Sequence, residues 1–287
     1  MSKASSLQND TLDIISYMLS NGKAGLIDLN LNQTMKLQEA WSGMETMQDY
    51  SMIIVGGTPK EGQSLDEVRQ LLLGEIDNIK KGNFSDDLLP SIINNKKLNF
   101  YKSLDDNSSR ADMFVEAFIT GTEWKDAVKT IERQEAITRQ QVIDFANRFF
   151  TDGYAVVYKR QGVDSTLKKI DKPAITPIPT NRDQVSQFVK DIQNTEVEPI
   201  QPRFLDFKKD LTFTTTKKKL PVIYKQNTTD GLFDLAFRYE FGHEDDNRYD
   251  VAAGYINYLG TDKLSAAQLK QQFYKLACSH SINIGSD

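Results

Sequence analysis

Apolar residues in the first part of the chain recur mainly at helical spacing. Residues 11–19 place Leu12, Ile15, Met18 and Leu19 on one side and run out at Asn21-Gly22, which predicts a helix. Residues 36–46 and 50–55 read as a strand pair. The compact run Met52-Ile53-Ile54-Val55 suits a buried strand that ends in a turn at Gly56-Gly57. Ser64 with Glu67 has the spacing of a capping box ahead of Leu65, Val68, Leu71, Leu72, Ile76 and Ile79, a helix expected to stop at Gly82. Ser85 opens another, through Leu88, Ile92, Ile93 and Leu98 toward Tyr101, with Pro90 in the first turns where its missing N–H is tolerated. Residues 112–120 and 124–131 predict shorter helices. Thr138 with Gln141 caps a helix that buries Val142, Phe145, Ala146 and Phe149, and residues 154–158 predict a closing strand.

The pattern changes after that. Five of the eight prolines fall at positions 173, 177, 179, 199 and 202, so residues 163–205 read as a connector, broken by a short helix over 182–192 on Val185, Phe188, Val189 and Ile192. Residues 211–216 and 220–224 predict a hairpin. In residues 233–241, Phe233, Leu235, Phe237, Tyr239 and Phe241 face one way and Asp234, Arg238 and Glu240 the other, the period of a half-buried strand. A helix from about Asp246 follows, with Val251, Ala252, Tyr255, Ile256 and Leu259 on its apolar face and a left-handed stop at Gly260. Ser265 with Gln268 caps a second helix that buries Leu269, Phe273 and Leu276, and residues 281–285 look like the start of one more strand. The fold class is α+β, with helices on mainly antiparallel sheets.

The order of strand, helix, Leu259-Gly260-Thr261 and helix, together with Gly25-Leu26-Ile27-Asp28-Leu29-Asn30-Leu31, resembles the insulinase/pitrilysin-type zinc metallopeptidases, particularly the two-half bacterial members. The resemblance implies two partial α/β-roll domains joined by a Pro-rich linker. Residues 1–162 correspond to the second domain of the first half without its opening strands, 163–205 to the connector, and 206–287 to a truncated start of the second, non-catalytic half. It also implies sheet edges without a neighbour, where another chain can add itself. In that family the helix before a Gly-Thr pair carries the zinc signature H-x-x-E-H in the N-terminal half. Counting back from Thr261 sets the three chemical positions on Val251, Gly254 and Tyr255, so none survives.

An inverzincin site needs two imidazoles one helical turn apart and carboxylates beside them. This chain has two histidines, His243 and His280, separated by two predicted helices. Gly242-His243-Glu244-Asp245-Asp246 reads as a polar turn entering a helix in preference to a cation site. Asp86, Asp87 and Glu116 read as helix-terminal and surface charges, and Lys217-Lys218-Lys219 as a solvated turn. A single cysteine, Cys278, rules out an intrachain disulfide and reads as a small core residue. A net charge of -5 provides no basic footprint for nucleic acid, and no apolar run is long enough for a membrane span. No catalytic, cofactor-binding or metal-ligating residue is therefore assigned in this chain, and the resemblance implies that zinc is held in an N-terminal domain beyond it. The expected role is chamber wall and hinge around a peptide held jointly with that domain; a non-peptidase assembly or binding subunit on the same fold is the alternative.

Overall fold

Helix α1 (Leu7–Leu19) begins four residues before its apolar periodicity does, because Ser6 caps it: the Ser6 hydroxyl oxygen accepts from the Asn9 N–H at 3.2 Å. In this computed structural model, residues 6–163, 165–166, 168, 171–180 and 182–286 are described. Both ends of the expected domain division, Met1 and Asp287, lie outside the described residues. Leu12, Ile14, Ile15, Met18 and Leu19 of α1 are fully buried. Each such side chain withdraws enough apolar surface to stabilise the fold by about 1.5–3 kcal/mol, so α1 is the centre of the core.

The chain leaves α1 through a turn held by one carboxylate. Asp28 accepts from the Ser20 hydroxyl at 2.9 Å, the Asn21 N–H at 2.8 Å and the Gly25 N–H at 3.1 Å. A β-carbon on Gly25 would stand 2.6 Å from the Leu19 carbonyl oxygen and 2.8 Å from the Ser20 Cα, so only glycine fits. A π-helical turn, Asp28–Asn32, follows. Strands β1 (Glu39–Thr46) and β2 (Ser51–Thr58) then pair antiparallel, with Ala40 opposite Gly57 and Met44 opposite Ile53. β2 continues through Gly56-Gly57, where a turn was expected, because Gly56 leaves room for the Trp41 indole across the ladder; a β-carbon there would meet ring atoms at 2.7 Å. The Asn32 side-chain amide bonds both the N–H and the carbonyl of Ala40, each at 2.8 Å, and so covers the outer edge of β1 at that residue.

Helices α2 (Leu65–Lys80), α3 (Leu88–Ser103), α4 (Asn107–Ile119), α5 (Trp124–Ala127), α6 (Thr130–Glu135) and α7 (Arg139–Phe149) complete this part. α1 packs on β1, α3, α6 and α7. The Thr138–Gln141 capping box of α7 is complete. At α2 only half of it forms: Ser64 accepts from the Glu67 N–H at 3.1 Å, while the Glu67 carboxylate accepts from the Gln63 amide instead. After α9 (Arg248–Ile256), α10 (Ala266–Lys275) packs on α3, fixed by the Asn95 amide donating to the Tyr274 carbonyl at 2.6 Å and by a 2.7 Å ion pair from Lys275 to Asp87.

The contact pattern divides the chain into two units, Met1–Tyr158 with Phe237–Asp287, and Lys159–Ala236. The second contains α8 (Gln187–Gln193) and a hairpin of β3 (Thr212–Thr215) and β4 (Pro221–Tyr224), with no fully buried residue among those described. The fold is α+β, with two two-stranded antiparallel sheets among the described residues.

Three expected strands do not form. Residues 154–158, 233–241 and 281–285 are irregular, and Phe233, Leu235 and Phe237 are more than 70 % exposed. An alternating apolar pattern becomes a strand only where a neighbouring ladder takes up its backbone N–H and C=O groups, and none of the described residues offers one. Among the described residues the terminal segment accepts two backbone bonds, from His243 N–H to Gly285 and from Glu244 N–H to Ser286. Two helix faces also differ from expectation. On α9 the buried residue is Ala253, whereas Val251 and Tyr255 are exposed; on α10 it is Tyr274, whereas Leu276 is exposed. Gly260 is not left-handed. It is needed because a β-carbon there would overlap the Leu264 carbonyl oxygen, where Thr261 closes a tight turn with its N–H to Leu264 O at 2.8 Å and its hydroxyl oxygen accepting from Leu264 N–H at 3.0 Å.

Candidate functional site

The positions that the sequence resemblance would align with a zinc signature lie on α9. Val251 and Tyr255 are one turn apart and exposed, and nothing stands within 4 Å of where a Gly254 side chain would begin. An isopropyl group, a hydrogen and a phenol do not provide the nitrogen and carboxylate donors that zinc takes, so these residues do not fit the ion. Among the described residues no three His, Cys, Asp or Glu side chains are grouped so as to hold a metal. His243 is exposed at the turn before α9. There the Asp245 carboxylate accepts from the Gly242 N–H at 2.9 Å, and Asp246 is held below the usual carboxylate range by the Arg248 guanidinium. His280 lies against the Phe273 ring at 4.7 Å. Among the described residues, neither histidine is grouped with a carboxylate pair that could hold a metal.

The polar chemistry that the fold does assemble lies on the one charged stripe of α1. Asp10 is 3 % exposed and receives the Arg133 guanidinium at 2.7 Å and 3.3 Å. Burial raises the Asp10 carboxyl above the ordinary aspartate range; Arg133 and Lys96 pull the other way, and Asp13 adds to the rise. Asp13 in turn accepts from Lys96 Nζ at 2.6 Å and from the Gln134 amide at 2.6 Å. These pairs tie α1 to α3 and α6.

Beside them is a cleft of about 200 Å³ bordered by Tyr17, Lys23, Lys96, Lys102, Tyr274 and Cys278, together with asparagine side chains of α3. Lys96 lies over the Tyr17 ring at 4.3 Å. The Tyr274 phenol is pushed well up, first by burial and then by Tyr17 and Asp28, so it stays protonated. Cys278, expected in the core, is half-buried at this cleft. Sequence reasoning did not reach this cluster. Asp10 and Asp13, three apart and the two charged residues of α1, were the available signal, but their partners lie more than 80 residues away in sequence.

The chain matches no known protein family and no curated protein. Among solved structures, it is similar to a protease from Helicobacter pylori, with a TM-score of 0.49 and 18 % identity, over 53 % of this chain and 37 % of that one. The chain therefore spans well under half the length of that protein, and a likeness of this size carries no inference about chemistry here. No described helix is long and apolar enough to cross a membrane.

Proposed function

We propose that this chain is a non-catalytic segment of a zinc-dependent metalloendopeptidase of the insulinase/pitrilysin type, forming chamber wall and hinge around a peptide substrate. On this reading residues 1–162 and 206–287 belong to the two halves of the enzyme and 163–205 link them. The zinc site belongs to a domain outside this sequence. The observation that carries the reading is the pair of helices α9 and α10 joined by Leu259-Gly260-Thr261. Gly260 is sterically required at that joint, and the Thr261 hydroxyl fixes the turn, while the three positions aligned with the signature hold no ligand. A helix with that joint and without donors can shape a chamber but cannot activate a water.

The purified chain should retain far less than one equivalent of zinc by elemental analysis and should cleave no unfolded peptide above the buffer rate. Chelator-sensitive hydrolysis by this chain alone would overturn the reading. The coding sequence upstream of Met1 separates it from the alternative of a non-peptidase assembly or binding subunit. An H-x-x-E-H helix there supports the peptidase, and its absence supports the subunit.

A further inference from the structure

We infer that the cleft between α1, α3 and the end of α10 binds a small oxyanion, a carboxylate or phosphate group, and that it does so independently of any part in peptide hydrolysis. Three lysines, Lys23, Lys96 and Lys102, border the space, and no Asp or Glu is among its described lining residues. Lys96 is matched by Asp13 at 2.6 Å, whereas Lys23 and Lys102 form no ion pair among the described residues. Asp28, the acid that influences Tyr274, has its oxygens taken up by the Ser20 hydroxyl and the N–H groups of Asn21 and Gly25. Two uncompensated positive charges therefore face one concavity, and a cleft lined by one sign of charge focuses its field on whatever enters.

Tyr274, only 4 % exposed, borders the same space, and because burial pushes its phenol up it brings no competing negative charge. Donation to an ionised oxygen from an ammonium is stronger than to a neutral one, which favours an anion over an uncharged ligand of equal size. The volume limits that size: about 200 Å³ falls below the ~300–1,000 Å³ of clefts that take drug-sized molecules, so a single phosphate or a carboxylate-ended fragment fits.

Cys278 is the sole cysteine and lines the same cleft, so its alkylation rate reports occupancy. Inorganic phosphate and N-acetylglycine are titrated into the full chain at constant ionic strength, with N-acetylglycinamide as the neutral control, while iodoacetamide labelling is followed by mass spectrometry. Saturable protection by either anion and none by the amide is expected. Protection by phosphate alone assigns the site to free phosphate, and protection by N-acetylglycine alone assigns it to carboxylates. Lys23→Ala with Lys102→Ala should weaken protection about tenfold. Lys102→Glu, at an exposed side chain, should abolish it without disturbing packing. Lys97→Ala, whose ammonium instead meets Glu135 at 2.6 Å, should bind as the wild type does. Absence of saturable protection by both anions, equal protection by the amide, or undiminished protection in the lysine variants would each overturn the assignment.

Discussion

Asp10 is the residue at which this fold accepts an electrostatic cost in its core. Its carboxylate faces the Arg133 guanidinium at 2.7 Å, yet its pKa is raised, because loss of hydration outweighs the pairing. A group whose pKa rises on folding holds its proton more tightly in the folded state. The stability it contributes is thus complete below the unfolded aspartate value and is lost as pH rises through the folded one. Asp10→Asn removes that proton and adds only a pH-independent offset from the disturbed Arg133. In urea unfolding across a pH series, the free energy of the wild type minus that of the variant should fall as pH rises above the ordinary aspartate range. A difference that rises with pH would show that pairing with Arg133 prevails over desolvation.

Among the elements, the turn between α1 and the π-helical Asp28–Asn32 shows why some of the architecture was legible in the sequence and some was not. Gly25→Ala should lower stability by about 1–3 kcal/mol, read as a lower denaturation midpoint with an unchanged slope, because the new methyl meets the backbone of Leu19 and Ser20, which α1 holds in place. A loss below the error of the measurement would mean that the turn gives way without cost. Local signals survived: the spacings of Thr138 with Gln141 and of Ser265 with Gln268 produced complete capping boxes, and the helical periods before Gly82 produced α2. Signals that depend on a distant neighbour did not. Phe233 to Phe241 alternates like a strand but has no ladder beside it, and the apolar face of α9 is left exposed. The cleft at Lys96 and Tyr274 was illegible for the same reason, since α3 and α10 meet across 179 residues of sequence and neither carries a motif that names the other.

For the molecule as a whole, the consequence expected of those unmatched elements is association. A β-sheet is stabilised by neighbours on both sides, and the described sheets have two strands each, so each strand has one edge outside its ladder. The Asn32 amide covers the β1 edge at Ala40, and no comparable side-chain cover bonds the backbone of β2 among the described residues. The outward face of the same sheet exposes Trp41, Met52 and Ile54 together, an apolar surface of the kind that marks contact sites. Sedimentation velocity should therefore show self-association that grows with protein concentration. Met52→Lys with Ile54→Lys puts two like charges on that face and should shift the boundary toward the monomer, while the far-ultraviolet dichroism stays unchanged because both side chains point away from the α1 core. A monomeric boundary at every concentration, or association untouched by the two lysines, would show that this sheet needs no neighbour and that its apolar outer face is tolerated in water.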